Sequence, residues 1–154
     1  MNVTIKQIQS TDNLATICEQ MQPDNWAADN QMTSYHEESL KKYLSSSQNI
    51  LLLAYSEEKI VGAVIAYILP HPDSTNSSLY VHELDTHPSF RRQGVGTVLM
   101  QAVFRLAKSH GLGEVWIGTE TDNDAANSLY RKLNPYEEEA SIIYSYKIKP
   151  ETNV

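Results

Sequence analysis

The chain has one cysteine, Cys18, in 154 residues, so no internal disulfide can brace it, and no Cys/His cluster shows the spacing of a zinc site. A reducing, cytoplasmic setting without a structural metal is expected. Long apolar runs are also missing. The longest, Ile60 to Leu69, is about half of what a bilayer-spanning helix requires. The opening MNVTIKQIQS has no basic stretch leading into an apolar one, so neither export nor a membrane partner is expected. Positive charge is scarce as well: 12 Lys and Arg against 19 Asp and Glu leave a formal charge of −7. Such a balance repels nucleic-acid phosphates and attracts cations. What remains is ordinary for a globular chain, 41% hydrophobic and 20% charged, at a length suited to one domain over residues 1–154.

Val3 to Ile8 alternates loosely and predicts a first strand. Thr11 or Asp12 is placed to cap a helix carrying Leu14, Ile17, Cys18 and Met21 at i, i+3, i+4 and i+7, ended by Pro23. Cys18 then falls on the apolar stripe, buried and inert. Ser34 with Glu37 reads as a capping box ahead of Leu40, Tyr43 and Leu44. Ile50 to Tyr55 and Ile60 to Leu69, separated by Ser56-Glu57-Glu58-Lys59, predict a hairpin of central strands. Pro70 to Ser78 reads as a surface loop, either on the substrate side or a plain connection.

Leu79 to Thr86 predicts a strand, and Val95, Val98, Leu99, Ala102, Val103 and Leu106 a helix stopping at Gly111. Then come a strand over Glu114 to Thr119, a helix over Asn123 to Leu133 and a closing strand over Ile142 to Ile148. Hairpins followed by a β-α-β-α-β run predict a mixed α/β sheet flanked by about four helices.

Between the fourth strand and its helix lies Arg91-Arg92-Gln93-Gly94-Val95-Gly96-Thr97. Its glycines let the backbone close around an anion, and the following helix N-terminus adds partial positive charge at the same place. Phosphate binding is the natural inference. The segment is no Walker loop, lacking Gly-Lys-Ser/Thr, and no dinucleotide fingerprint, lacking the third glycine.

Arg91-x-x-Gly94-x-Gly96 after the strand Tyr80 to Pro88, and Asn123-x-x-Ala126-x-x-Leu129-Tyr130-x-Lys132 some 30 residues on, together resemble the two signature segments of the GCN5-related N-acetyltransferases. Within that family Ile60 to Pro70, Arg91 to Gly94 and Ala126 to Leu133 are most similar to the type I aminoglycoside 3-N-acetyltransferases. Two departures stand out. His82-Glu83-Leu84-Asp85-Thr86 replaces that group's Tyr-Asp-Leu-Ala-Val, and Asn134-Pro135 replaces a Gly-hydrophobic pair.

The resemblance implies the acyl-CoA N-acyltransferase fold and acetyl-CoA as cosubstrate. The backbone N–H groups of Arg92, Gln93, Gly94, Val95, Gly96 and Thr97 would hold the pyrophosphate, helped by Arg91 or Arg92. Leu84, Asp85 and Thr86 would pair with the pantetheine arm as if it were a strand. Asn123, Ala126 and Tyr130 would lie along the cofactor, Asn123 also being placed to cap its helix. Tyr130 would return a proton to the departing thiolate, with a packed core aromatic as its other reading.

Acyl transfer needs a neutral amine, so a base must take its proton. Glu83 and His82 are both candidates, and Glu83 with Asp85 could also bind a cationic substrate. Strand alternation puts His82 and Glu83 on opposite faces unless a bulge intervenes. The expected reaction is acetyl transfer to a primary amine of a small aminoglycoside- or polyamine-like molecule in a ternary complex. A protein N-terminus or lysine is an alternative acceptor, and a catalytically silent acyl-CoA-binding module is an alternative class. A homodimer is expected, as in many relatives. His71, His87 and His110 read as solvent-facing, Trp26 and Trp116 as packing, and Glu137 to Glu139 as a solvated face.

Overall fold

The computed structural model describes residues 2–26, 34–73 and 77–148. Five strands form one sheet in sequence order: β1 (Thr4–Gln7), β2 (Asn49–Ser56), β3 (Lys59–Leu69), β4 (Ser78–Thr86) and β5 (Glu114–Ile117). The first three pairings are antiparallel and β4–β5 is parallel. A parallel neighbour demands a crossover, which α4 (Val95–Ser109) supplies. This is the expected mixed α/β architecture.

Three further helices precede β2: α1 (Leu14–Gln20), α2 (Pro23–Trp26) and α3 (Glu37–Leu44). Asn13, not Thr11 or Asp12, caps α1, its side chain accepting from Thr16 N at 3.1 Å. Asp12 is otherwise engaged, by Lys6 Nζ at 2.6 Å and Gln9 N at 2.8 Å. Pro23 does not merely end a helix. It opens α2, where its fixed φ and missing N–H cost nothing. The predicted Ser34–Glu37 box does not form, because α3 begins late with extended His36 as its N-cap and no side-chain capping bond. Gln22 Nε2 donates to Tyr35 O at 3.1 Å and keeps that segment out of the helix.

β2 and β3 read as unbroken apolar runs because helices cover both faces. Leu51, Leu53, Ile60 and Ala63 pack with Leu14, Ile17, Cys18, Met21, Trp26 and Leu40. On the other side, a Cβ on Gly62 would lie 2.7 Å from Val95 Cγ1 and 2.9 Å from Leu99 Cδ1. Among the described residues no helix is long and apolar enough to cross a membrane.

Met1–Gly118 and Thr119–Val154 are two compact units. The second holds α5 (Asp124–Lys132), which brings the α-helices among the described residues to five. The predicted strand over Ile142 to Ile148 is absent: residues 133–148 carry no strand, and Ile142, Ile143, Tyr144, Tyr146 and Ile148 are exposed. A strand exists only where its backbone groups find partners, and nothing else in residues 119–148 offers them.

Candidate active site

The register of β3 with β4 slips once. Ile65 faces Glu83 but Ala66 faces Val81, so His82 is an extra residue on β4. This bulge undoes simple alternation, and His82 and Glu83 both line one cavity of about 240 Å³ with Tyr35, Tyr43, Tyr67 and Ile65. Tyr43 secures the place: its hydroxyl lies 2.9 Å from Ile50 O and 3.0 Å from Ala66 O, the carbonyl beside the slip.

The polar groups of the cavity are linked. Tyr80 Oη lies 3.2 Å from His82 Nδ1, and His82 Nε2 lies 3.7 Å from Glu83 Oε1. Burial, then the Glu83 charge, raises the pKa of Asp85, while Arg91 opposes this. Burial, then the charges of Glu83 and Asp85, pushes the Tyr35 hydroxyl far up, so it stays protonated as a donor. Glu83 beside aromatic walls, with the Asp85 carboxylate close by, suits an ammonium group.

β4 parts from β5 at this level. Ser78 to Val81 pair with Glu114 to Ile117, whereas His82 to Thr86 have only β3 beside them among the described residues. Where β4 ends, His87 caps a 3-10 turn over Pro88–Phe90 and the chain enters the glycine loop. Arg92 (φ 57°) and Gly94 (φ 89°) are left-handed, a pattern that turns successive N–H groups toward one point. Gly94 is also the N-cap of α4, so the amides of Val95, Gly96 and Thr97 have no intrahelical acceptor. A Cβ on Gly94 would meet nothing within 4 Å, leaving open space beside those amides. Arg91 Nε donates to Thr86 O at 3.4 Å, tying loop to strand. These residues fit the diphosphate of a coenzyme A thioester, and the open edge of β4 fits its amide-bearing arm.

In the second unit Asn123 caps α5, its Oδ1 accepting from Ala126 N at 3.1 Å. Ala126, Leu129, Tyr130 and Leu133 form a half-buried stripe. Glu137 to Glu139 are exposed as read, and within that face Glu138 pairs with Arg131, a bond that lowers its pKa. Among the described residues no group of three or more His, Cys, Asp or Glu could hold a metal.

The GNAT acetyltransferase family model matches residues 14–134. The chain belongs to this family. Human N-acetyltransferase 8 is 33% identical over 93 residues, covering 60% of this chain but 41% of that protein, so the chain spans less than half of that relative. An aminoglycoside N(6′)-acetyltransferase type 1 from Acinetobacter genomosp. 13 is 26% identical over 117 residues, covering 73% of this chain and 80% of that one. A crystal structure of an aminoglycoside acetyltransferase from an uncultured soil metagenomic sample, in complex with sisomicin, superposes with a TM-score of 0.83. It is 23% identical and covers 96% of this chain and 97% of its own. That likeness establishes the fold.

As a GNAT domain the chain departs from its sequence reading at His87 and at two cavity tyrosines. His87 is not solvent-facing: it is 8% exposed, meets Trp26 and Phe90 edge-on at 5.6 Å and 5.7 Å, and accepts from Ser89 N at 3.2 Å. His71 and His110 are exposed, Trp26 is core, and Cys18 is buried. Burial raises the thiol pKa of Cys18. The tyrosine walls were also missed. Tyr43 and Tyr67 sat in apolar runs read only as core, and the signal was that each carries a hydroxyl where Phe or Leu would fill the same space.

Proposed function

We propose that this GNAT protein transfers the acetyl group of acetyl-CoA to a primary amine of a small cationic molecule, aminoglycoside- or polyamine-like, by direct transfer in a ternary complex. The observation that carries this is the edge of β4 from His82 to Thr86, which has no strand partner beyond β3 among the described residues and runs from the amide loop to the cavity holding His82 and Glu83. One end suits a diphosphate, the other an ammonium, and the edge between suits a pantetheine.

The amides of Arg92, Gln93, Gly94, Val95, Gly96 and Thr97 hold the diphosphate, with Arg91 and Arg92 adding charge. Leu84, Asp85 and Thr86 bind the arm by backbone pairing, and an N–H there polarises the thioester carbonyl. Glu83 and Asp85 attract the substrate ammonium. Glu83 or His82 takes one proton from it, the freed nitrogen attacks the carbonyl carbon, and the C–N bond forms as the C–S bond breaks. Tyr130 gives the thiolate its proton, and the new amide nitrogen sheds its second proton to water, which reprotonates Tyr130. Asn123 and Ala126 sit along the cofactor.

The family match runs from residue 14 to 134 across both units, which supports one acetyltransferase domain over 1–154. Acetylation at the 3-N position rests on the motif likeness alone, since the aminoglycoside relative described above bears an N(6′) name. A reducing cytoplasm suits the buried thiol of Cys18, and a homodimer would cover the exposed apolar residues between Ile142 and Ile148.

The test is thiol release from acetyl-CoA across a panel of aminoglycosides, polyamines and amino-terminal peptides. Amine-dependent release with small cations supports the proposal. Release with peptides alone moves the acceptor to protein, and binding without release makes the chain a silent acyl-CoA module.

A further inference from the structure

We infer that Tyr80 is a positioning residue whose hydroxyl donates to His82 Nδ1 and holds the imidazole as its Nε2–H tautomer facing Glu83, which makes Glu83 the group that takes the amine proton. The inference rests on the acetyltransferase reading and resolves which of its two candidate bases acts.

A neutral imidazole carries one N–H and one lone pair. Tyr80 Oη stands 3.2 Å from Nδ1, and Glu83 Oε1 stands 3.7 Å from Nε2. Were the hydrogen on Nδ1, the lone pair of Nε2 would be turned on a carboxylate oxygen, setting two electron-rich atoms against each other. With the hydrogen on Nε2, the tyrosine donates to one nitrogen and the other carries a partly positive hydrogen in the neighbourhood of the carboxylate, 3.7 Å from nitrogen to oxygen. Both neighbours are then complementary, and the tautomer is fixed by what the other ring nitrogen bonds.

Tyr80 is held in place for this. Its ring stacks on Trp116 at 4.3 Å and 27°, and Trp116 Nε1 donates to Ser78 Oγ at 3.3 Å. The His82 ring meets Tyr80 edge-on at 5.7 Å and Tyr67 at 5.8 Å. Tyr80 and His82 stand two residues apart on β4, and the bulge at His82 brings Glu83 to the same cavity. Among the described residues the other ionisable groups around the pair are Tyr35, His36, Tyr43 and Tyr67 in the cavity wall and Asp85 close by, with Arg91 acting on Asp85.

An Nε2 that already carries hydrogen has no lone pair to offer the amine. Glu83 has two oxygens, one facing the imidazole, and its side chain is 49% exposed to an arriving cation. It takes one proton from R–NH₃⁺, leaving a neutral amine and a carboxylic acid, and returns that proton to water after turnover.

Nitrogen-15 NMR of the histidine rings tests this on the protein without substrate, with His82→Gln used to assign the His82 signals. Wild type is expected to show the Nε2–H tautomer, and Tyr80→Phe to relax it to a mixture. In thiol-release assays Glu83→Gln is expected to lower kcat/KM at least 100-fold, and His82→Gln, whose amide keeps an N–H donor, less than tenfold. An Nδ1–H tautomer in wild type, an unchanged tautomer in Tyr80→Phe, or a larger loss in His82→Gln than in Glu83→Gln overturns the inference. If wild type acetylates no amine, the acetyltransferase reading fails and the spectra still decide the tautomer.

Discussion

Gly62 on β3 lies directly beneath Val95, the first residue of α4: a Cβ on the glycine would come within 2.7 Å of Val95 Cγ1 and 3.2 Å of Asp85 O. The helix that presents amides to the diphosphate can therefore approach the sheet only where a side chain is missing. Gly62 pairs with Thr86, so the contact joins the anion loop to the end of β4. Gly62→Val should cost about 1–3 kcal/mol from overpacking and lower the denaturant midpoint. Because α4 is displaced, KM for acetyl-CoA should rise more than kcat falls, as steady-state kinetics at saturating amine would show.

Tyr43 holds α3 against β2 and β3 through its hydroxyl, beside the slip that turns Glu83 into the cavity. Tyr43→Phe keeps the ring and removes the donor that the Ile50 and Ala66 carbonyls share, while the two strands stay paired there. A loss of about 0.5–1.5 kcal/mol is expected, read as a lower midpoint in urea with unchanged slope.

How far the chain could be read in advance depended on whether neighbours in space mattered. The stripe from Val95 to Leu106 and the hairpin on either side of Ser56–Lys59 were legible because periodicity and turn chemistry are local. The loop from Arg91 to Thr97 was legible because glycine at a left-handed position is a local demand. The bulge at His82 was foreseen only as a condition, since it arises from register with β3 and nothing in Tyr80 to Thr86 announces it. His87 was misread for a similar reason: its burial comes from Trp26, 61 positions earlier in the chain. The strand predicted over Ile142 to Ile148 failed because apolar composition cannot supply a partner.

His87 makes acid stability a test of the fold around the loop. Burial, then the charges of Lys59 and Arg91, lowers its pKa below 6.5, against an opposing hydrogen bond with the Asn25 backbone. The unfolded chain therefore binds the proton first as pH falls. Stability from this site is present above about pH 6.5 and is lost as pH drops through the folded pKa. Thermal melts between neutral pH and mild acid should show a falling Tm in wild type and a shallower fall in His87→Asn, which keeps an acceptor for Ser89 but cannot take the proton.

Tyr130 is assigned the proton for the departing thiolate. Tyr130→Phe should lower kcat by about 10²-fold or more, the usual worth of a positioned acid, and remove the alkaline limb of the kcat profile. Unchanged turnover across pH would return Tyr130 to the α5 stripe as a packing residue.

Acetyl transfer by this chain depends most on the turn from Arg92 to Thr97 gripping a diphosphate. Isothermal titration of the full chain with acetyl-CoA, repeated with Gly94→Val, examines that grip directly. Wild type should bind one equivalent. The variant, forcing a β-branched side chain to φ 89° at roughly 1–2 kcal/mol, should bind at least tenfold more weakly. No heat of binding in wild type, or equal affinity in the variant, would contradict it.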